Sequence, residues 1–273
     1  MQLSEWRLIH TPPASGAWNM AVDEAILEAV GRHDALPTLR LYAWVPPCLS
    51  LGFAQPVNDV DREALLRNGW QMVRRPTGGR AILHTDELTY SVIAPLDEPR
   101  VYGKVLESYQ RLAQALVAAL RHLGLPAQAD QAYALPVGAQ ASGAVCFEVP
   151  SNYEITVAGK KLMGSAQARR KEGVLQHGSL PLCGDLTRIT QALVFPGEPA
   201  RTLAAQRLLA HATTVEALGK TVTWEEAAAA FAVAFETTLQ IDFKAEALTA
   251  EELSRADTLV AEKYGHPGWT ERL

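Results

Sequence analysis

Cysteine, long apolar runs and metal-ligand motifs are all scarce in this chain of 273 residues. Its three cysteines, Cys48, Cys146 and Cys183, are odd in number and form no Cys-x-x-Cys pair. Neither a disulfide framework nor a thiolate zinc site is therefore expected. The longest apolar stretches, at 112–120 and 227–235, fall well short of the ~20 residues that a membrane span requires. We predict no membrane association and no bound metal.

The charge balance excludes a further class of partner. The formal net charge is -5, and the basic residues form no continuous stripe and accompany no known nucleic-acid motif, so we expect no nucleic-acid binding. Residues 1–5 lack the basic and then apolar pattern of a signal peptide, which predicts a cytoplasmic protein. With 48% apolar residues the chain has an ordinary globular composition and is long enough to enclose a pocket.

Hydrophobic patterning indicates an α+β fold. Short β-branched or aromatic runs, separated by proline, glycine and polar turns, fill most of 38–94 and recur over 153–180. Between them, leucines at steps of three and four predict an amphipathic helix over 103–123. The stretch 125–143 is rich in Ala, Gln, Gly and Pro, which predicts a long irregular segment. We therefore expect a mixed β-sheet core flanked by helices.

The last sixty residues have a different pattern. Thr223 and Thr249 each precede an acidic first turn and a run with helical spacing, as good helix N-caps do. We predict one domain over residues 1–210, with residues 211–273 forming a small helical extension packed on it.

The densest chemical signal is the segment 74–84. A strand ending in Arg74 and Arg75 turns on Pro-Thr-Gly-Gly, with Thr77, Gly78 and Gly79, and re-enters a strand that ends at His84. Glycine permits close backbone approach, so this turn can present N–H groups and guanidinium forks to an anionic or carbonyl ligand. A simple β-hairpin with solvated arginines is the alternative.

A second signal lies in the segment 159–167. In a strand, Lys161 and Met163 point to one face, and the missing side chain at Gly164 lets a ligand or another backbone approach the other face. A lysine inside a sheet is unusual, although an exposed edge-strand lysine that guards against aggregation would give the same pattern.

Cys146 ends the irregular stretch and is close in sequence to this lysine. A thiol near Lys or Arg has its thiolate stabilised, which is what a nucleophile for acyl transfer needs. A buried, inert cysteine is the alternative. We interpret Cys48 and Cys183 as structural.

Seven segments of the chain, in order, resemble the lipoate–protein ligase A and biotin–protein ligase superfamily. The similarity is greater to its octanoyltransferase branch, which uses a cysteine nucleophile. The segments are 19–25, 40–44, 74–80, 87–92, 146–147, 161–167 and 176–179.

This resemblance implies a reaction and a set of site residues. Residues 1–210 would form an acyltransferase domain with the fold of the biotin and lipoate protein ligases. An octanoyl group would pass from acyl carrier protein to Cys146 as a thioester. It would then pass to the lysine of a lipoyl-domain protein, typically glycine cleavage H protein. Lys161 would orient the acyl carbonyl, and no cofactor is implied. The implied substrate-binding residues are Arg74, Arg75, Thr77, Gly78, Gly79, His84, Gly164, Ser165, Ala166 and His177.

One departure from the wider ligase pattern favours a transferase. Ligases have Ser-Gly-Gly-Gly where this chain has Thr77-Gly78-Gly79-Arg80, and Arg80 would crowd the region that holds a nucleotide phosphate. Three alternatives stay open: an ATP-dependent lipoate–protein ligase, an octanoyl amidotransferase between lipoyl domains, and a non-catalytic acyl-binding protein. The sequence does not identify the general base, for which His84 and His177 are candidates.

Overall fold

A computed structural model of the protein describes residues 3–130 and 154–273. The strands are β1 Ser4–His10, β2 Thr38–Tyr42, β3 Cys48–Leu51, β4 Gln71–Arg74, β5 Ile82–His84, β6 Glu87–Ala94, β7 Gln128–Asp130, β8 Glu154–Val157, β9 Lys160–Arg170, β10 Gly173–Pro181 and β11 Ile241–Ala245. The α-helices are α1 Gly16–Gly31, α2 Arg62–Asn68, α3 Val105–His122, α4 Glu198–His211, α5 Trp224–Leu239, α6 Ala250–Leu259 and α7 Pro267–Thr270.

Eight of these strands form one mixed sheet in the order β11-β1-β2-β6-β10-β9-β8-β7. β1 is parallel to both β11 and β2, and every other pairing in this sheet is antiparallel. The central strands β6 and β10 are buried along their whole length. Both strands mix apolar residues with buried polar ones, such as Ser91 on β6 and Gln176 and His177 on β10, so they place polar groups inside the fold.

Helices cover both faces of this sheet. On one face α3 and α5 pack through Leu112, Leu116 and Phe231 against β6 and β10. On the other face α1 and α6 bury Ile26 and Leu259. Helix α1 begins after Ser15, whose hydroxyl accepts a hydrogen bond from the backbone N–H of Trp18 at 3.3 Å. The expected mixed sheet flanked by helices is confirmed.

A second, three-stranded sheet carries the segment 74–84. Its order is β4-β3-β5, with β3 parallel to β4 and antiparallel to β5. Arg74 ends β4 and His84 ends β5. The loop between them therefore begins and ends on one small sheet, with Ser50 on the central strand.

The C-terminal residues include an element that the sequence analysis missed. Ile241–Ala245 forms β11, a parallel edge strand beside β1, so residues 211–273 are not purely helical. The strand follows α5 directly, with only Gln240 between them in the left-handed conformation, and so no glycine or proline marks its start. The division between a domain and an extension at residue 210 stays a prediction.

Membrane-spanning helices and metal-binding clusters are both absent from residues 3–130 and 154–273. No helix there is long and apolar enough to cross a membrane. The same residues contain no group of three or more His, Cys, Asp or Glu side chains placed to hold a metal ion.

Candidate active site

A cavity of about 300 Å³ lies between the small sheet and strands β9 and β10 of the main sheet. Its wall combines apolar side chains with a small set of polar and basic groups, as small-molecule sites usually do. The lining residues are Met20, Tyr42, Trp44, Ser50, Arg75, Gly79, Arg80, Ile82, His84, Thr89, Lys161, Gly164, Ser165, Ala166, His177, Gly178 and Ser179.

The structure brings most of the sequence-predicted site residues to this cavity. The predicted residues that line it are Arg75, Gly79, His84, Lys161, Gly164, Ser165, Ala166 and His177. Arg74, Thr77 and Gly78 are not among the lining residues. Cys146 lies outside the described residues.

Arg75 shapes the loop that closes one side of the cavity. Its guanidinium donates to the carbonyls of Gly78 and Arg80, each at 2.8 Å, and to the Ser50 carbonyl at 3.0 Å. Gly79 has φ +93°, where a side chain is strained, and a Cβ at Gly52 would lie 1.8 Å from the Gly79 carbonyl oxygen. This close approach is between the loop and Gly52, which follows β3, and the expected approach of the glycine turn to a ligand stays a prediction.

Arg74 has a structural role, contrary to its expected place in substrate binding. It is fully buried, and its guanidinium donates to the backbone carbonyls of Gly52, Gln55 and Thr270 at 2.8, 2.6 and 3.0 Å. Successive residues along a strand point to opposite faces, and the backbone of Arg75 continues the pairing of β4 with β3, so the side chains of Arg74 and Arg75 diverge. Arg74 ties the small sheet to the C-terminal residues instead of facing the cavity.

Thr77 is held below the cavity by His177. The Thr77 hydroxyl lies 2.6 Å from His177 Nε2, while His177 Nδ1 lies 3.5 Å from an Asp23 carboxylate oxygen. Burial lowers the pKa of His177 below its ordinary value, although Asp23 acts to raise it. The imidazole is therefore neutral at pH 7, and Nδ1 carries the proton that faces the carboxylate. Nε2 then accepts from Thr77, which anchors the loop.

Asp23 anchors a buried network beneath the cavity. Its two carboxylate oxygens accept from Arg40 at 2.7 Å, Ser91 at 2.8 Å and Tyr42 at 3.0 Å. Burial acts to raise the pKa of Asp23, but the Arg40 guanidinium and His177 bring it below its ordinary value. Arg40 also donates to the Asn19 side chain at 2.8 Å. Four of the segments that carried the family resemblance, 19–25, 40–44, 87–92 and 176–179, thus meet in one charged cluster.

Lys161 brings a cation to the cavity from β9. Its side chain is only 3% exposed, and its ammonium donates to Glu154 on the neighbouring strand β8 at 2.9 Å. The backbone carbonyl of Lys161 accepts from the N–H of Thr213 at 3.0 Å, which fixes the strand on its outer side. A buried ammonium held in place can stabilise negative charge that develops nearby. The alternative of an exposed, solvated edge lysine is excluded.

His84 lies at the centre of a hydrogen-bonded chain on the opposite wall. Its Nε2 is 2.7 Å from Ser50 Oγ, and its Nδ1 is 2.6 Å from Glu87 Oε1. The indole of Trp44 stacks on the imidazole with ring centroids 3.9 Å apart and donates its N–H to Thr89 at 2.8 Å. The imidazole is thus fixed in both position and plane.

Sequence reasoning missed several members of this site. Glu87 was within a segment that carried the resemblance, yet no role was assigned to it. Ser50 is a polar residue in an otherwise apolar strand, Cys-Leu-Ser-Leu, and this exception in the pattern could have marked it as a candidate site residue. Asp23 had a similar signal, as a carboxylate in a helix that is otherwise largely apolar. Their partners are far away in sequence, so the contacts themselves could not be inferred.

We expect the stability of the protein to fall steadily on acidification. Asp23 and Glu87 have pKa values below the ordinary carboxyl value, because charged and hydrogen-bonding partners outweigh burial, which acts to raise them. Their stabilising contribution is present above the ordinary pKa and is lost as pH falls toward the folded-state value. His177 has the same sign, because below pH ~6.5 the unfolded chain takes up a proton that the buried imidazole resists.

The measurement is the urea midpoint at pH 7.5, 6.0, 5.0 and 3.5, because the carboxylate contributions are lost only below the ordinary carboxyl pKa of about 4. We expect the midpoint to decrease at each step, with the first decrease reduced in His177→Gln. A midpoint that is level from pH 7.5 to pH 5.0 would contradict the charge state assigned to His177, and one that is level from pH 5.0 to pH 3.5 would contradict those assigned to Asp23 and Glu87.

Comparison with known proteins agrees with this arrangement. Residues 15–236 match the sequence model of the lipoyl protein ligase A/B catalytic domain. The chain belongs to this family. Its relatives in the family include proteins named octanoyltransferase LipM from Symbiobacterium thermophilum, 41% identical over 98% of this chain and 99% of the relative, and from Kyrpidia tusciae, 42% identical over 99% and 100%. The protein of the same name from Bacillus subtilis is 37% identical over 98% and 99%.

Solved structures of the lipoyl protein ligase family share the fold. A bi-partite lipoate protein ligase from Thermoplasma acidophilum superposes with a TM-score of 0.81 at 27% identity, covering 98% of this chain and 96% of that one. A lipoate-protein ligase A bound with ATP gives a TM-score of 0.79 at 27% identity, covering 98% of both chains. The expected fold and family are confirmed, and the protein is an acyltransferase.

Proposed function

We propose that this acyltransferase moves an octanoyl group from octanoyl-acyl carrier protein to the lysine of a lipoyl-domain protein, such as glycine cleavage H protein, through a thioester on Cys146. The single observation that carries the proposal is the cavity, whose wall includes the buried ammonium of Lys161. Relatives named octanoyltransferase match nearly the whole chain, which supports the choice of acyl group. The proposed location is the cytoplasm.

The cavity suits an alkyl chain with a polar end. Met20, Trp44 and Ile82 contribute apolar surface, while Lys161 and His84 contribute polar groups. Apolar walls favour burial of methylene groups, and the ammonium favours a carbonyl oxygen that becomes negative. In the proposal the acyl tail lies along the apolar part with its carbonyl directed at Lys161.

The route through a cysteine explains how two protein substrates use one cavity. Exchange between two thioesters is nearly isoenergetic, and transfer from a thioester to an amine is downhill, so no ATP is consumed. The thiolate of Cys146 attacks the donor thioester and expels the carrier as a thiolate, which takes a proton from solvent. The neutral amine of the acceptor lysine then attacks the enzyme thioester, the C–S bond breaks to release the Cys146 thiolate, and the nitrogen loses a proton to solvent as the amide forms. A covalent intermediate divides one difficult transfer into two easier steps.

The experiment that tests the proposal is intact-protein mass spectrometry after incubation with octanoyl-acyl carrier protein in the absence of ATP. We expect one octanoyl adduct that hydroxylamine removes and that an added lipoyl domain discharges. Cys146→Ala should form no such adduct. Cys183→Ala is the matched control, because Cys183 is an exposed free thiol and should not be needed.

Two results would overturn the proposal. An unchanged thioester adduct in Cys146→Ala would remove the assigned nucleophile. Failure of the wild type to form an adduct, together with ATP-dependent attachment of free lipoate to the acceptor, would make the chain a lipoate–protein ligase. In that case the chain would resemble the lipoate-protein ligase A that was solved with bound ATP in activity as well as in fold.

Acyl chain length gives an independent prediction. Each buried methylene contributes about 0.8 kcal/mol, so shortening the donor acyl chain by two carbons should lower kcat/KM by roughly tenfold. Ile82→Ala, which removes apolar surface from the cavity wall, should also lower kcat/KM for octanoyl donors. The comparison uses hexanoyl- and octanoyl-acyl carrier protein at one concentration of acceptor. Equal kcat/KM for the two donors would mean that the tail is not buried.

A further inference from the structure

A serine and a histidine on the cavity wall, with a buried glutamate behind the histidine, have the arrangement of a serine-hydrolase triad. The distance from Ser50 Oγ to His84 Nε2 is 2.7 Å. On the other side of the imidazole, His84 Nδ1 lies 2.6 Å from Glu87 Oε1. Both Ser50 and His84 line the cavity, and both are buried from bulk solvent. Ser-His-Glu triads occur in hydrolases, and such triads are recognised by their geometry and not by their positions in the sequence.

The hydrogen bonds around Glu87 determine where the protons lie. Glu87 Oε1 also accepts from the hydroxyls of Thr89 at 2.5 Å and Ser179 at 2.8 Å. Burial acts to raise the pKa of Glu87, but His84 and these donors bring it below its ordinary value, so the carboxylate is ionised. An ionised carboxylate only accepts, and His84 Nδ1 must therefore carry the proton that it shares with Glu87. In the neutral imidazole, Nε2 is then the acceptor for the Ser50 hydroxyl.

Ser50 has a second partner that favours loss of its proton. Arg75 Nη1 donates to Ser50 Oγ at 3.1 Å. A guanidinium at this distance stabilises negative charge that develops on the oxygen. The serine therefore has a proton acceptor on one side and a fixed cation on the other.

The other histidine of the cavity makes a weaker version of this arrangement. Thr77, His177 and Asp23 follow the same order, but the His177 to Asp23 contact is 3.5 Å, and Thr77 does not line the cavity. Of these two hydrogen-bonded chains, the one through His84 combines short contacts with a hydroxyl-bearing residue that lines the cavity.

We propose that Ser50 is a second nucleophile of this cavity and gives the protein a serine-dependent thioesterase activity toward medium-chain acyl thioesters. Ser50 Oγ bonds to the acyl carbon, the C–S bond breaks, and the serine proton passes through His84 Nε2 to the leaving thiolate. Water then attacks the acyl-serine ester, which releases the carboxylic acid and restores Ser50. The inference uses the acyl cavity of the proposed function but does not require Cys146.

The first test is covalent titration of the full-length protein with a fluorophosphonate that carries an eight-carbon chain. The reagent bonds to an activated serine oxygen and releases fluoride, and peptide mass spectrometry identifies the modified residue. We expect stoichiometric labelling at Ser50, slower by about a hundredfold in His84→Gln, which lacks the base. Ser165 is the matched internal control, since it lines the same cavity but its hydroxyl contacts Tyr90 at 2.8 Å instead of a histidine.

The second test is hydrolysis of an octanoyl thioester of N-acetylcysteamine in the absence of an acceptor protein. We expect release of octanoate that is lost in Ser50→Ala and kept in Ser254→Ala, because Ser254 is exposed on α6 and does not line the cavity. Near-ultraviolet circular dichroism checks that each variant retains the native fold.

The outcomes separate this inference from the proposed function. Octanoyl transfer through Cys146 without labelling of Ser50 would overturn the serine nucleophile alone. Labelling of Ser50 and Ser165 at equal rates would also overturn it, because access and not activation would then govern the reaction. Labelling confined to Ser50, in a protein that fails to transfer octanoate to a lipoyl domain, would overturn the proposed transfer alone.

Discussion

Replacing Asp23 with alanine is expected to destabilise the folded protein by about 3–5 kcal/mol. Asp23 and Arg40 are both 0% exposed and lie 2.7 Å apart. Removal of the carboxylate leaves the Arg40 guanidinium buried without a counter-charge and leaves the hydroxyls of Tyr42 and Ser91 without their acceptor. The cost therefore comes from the groups left behind and not from the net contribution of the ion pair.

Urea unfolding at pH 7.5 measures this effect, with the m-value checked for a change in cooperativity. Asp34→Ala is the matched control, because Asp34 pairs with Arg32 at the same distance of 2.7 Å but both side chains are more than half exposed. The control should change the free energy of unfolding by less than about 1 kcal/mol. A loss in Asp23→Ala as small as that of Asp34→Ala would show that the buried network does not anchor the fold.

A compensated variant separates charge from packing. In Asp23→Leu with Arg40→Met, neither charge is buried, so part of the stability lost in Asp23→Ala should return. The position of His177 should not recover, because its Nδ1 has no carboxylate to face. We therefore expect the double variant to be folded but slower in acyl transfer, with the Thr77 loop no longer held in place.

The elements that the sequence predicted are those with a strong local pattern. Helix α3 buries Leu112, Leu116 and Leu120 of its leucine stripe against the sheet, whereas Leu106 in its first turn is exposed. Helices α5 and α6 begin after Thr223 and Thr249, as expected from the capping threonine and the acidic first turn. In each case the sequence pattern lies within the helix that it predicts, so the helix can be predicted without knowing any contact with a distant part of the chain.

The elements that were missed lack such a pattern. Helix α4 buries only Ala204 and Leu208, so its sequence carries no clear apolar stripe. Strand β11 is stabilised by pairing with β1, more than two hundred residues earlier in the chain. Pairing over such a separation cannot be read from local propensity.

The same distinction applies to the candidate site. The lysine hairpin and the glycine turn were visible as local motifs, whereas the contact from Ser50 to His84 joins two strands that are 34 residues apart. The divergence of Arg74 from Arg75 depends on which face of β4 is covered, and that is settled only by tertiary packing. Motifs thus located the cavity, but the roles of individual side chains required the fold.

Replacing Lys161 with methionine is expected to lower kcat for octanoyl transfer by about 10²–10³-fold with little change in KM for the donor. The ammonium lies on the wall of the cavity and is held by Glu154, which is itself 19% exposed. Methionine keeps the length of the side chain and its packing but removes the charge that is proposed to stabilise the developing oxyanion. Loss of an interaction made only in the transition state lowers kcat more than it raises KM.

Steady-state transfer to a lipoyl domain measures the effect, and single-turnover formation of the enzyme thioester shows whether the first half-reaction is slowed. Lys160→Met is the matched control, because Lys160 is the adjacent residue, does not line the cavity and donates to the backbone carbonyl of Leu209. Its kcat should stay close to that of the wild type. If Lys161→Met and Lys160→Met had equal kcat values, the ammonium of Lys161 would have no part in the chemistry.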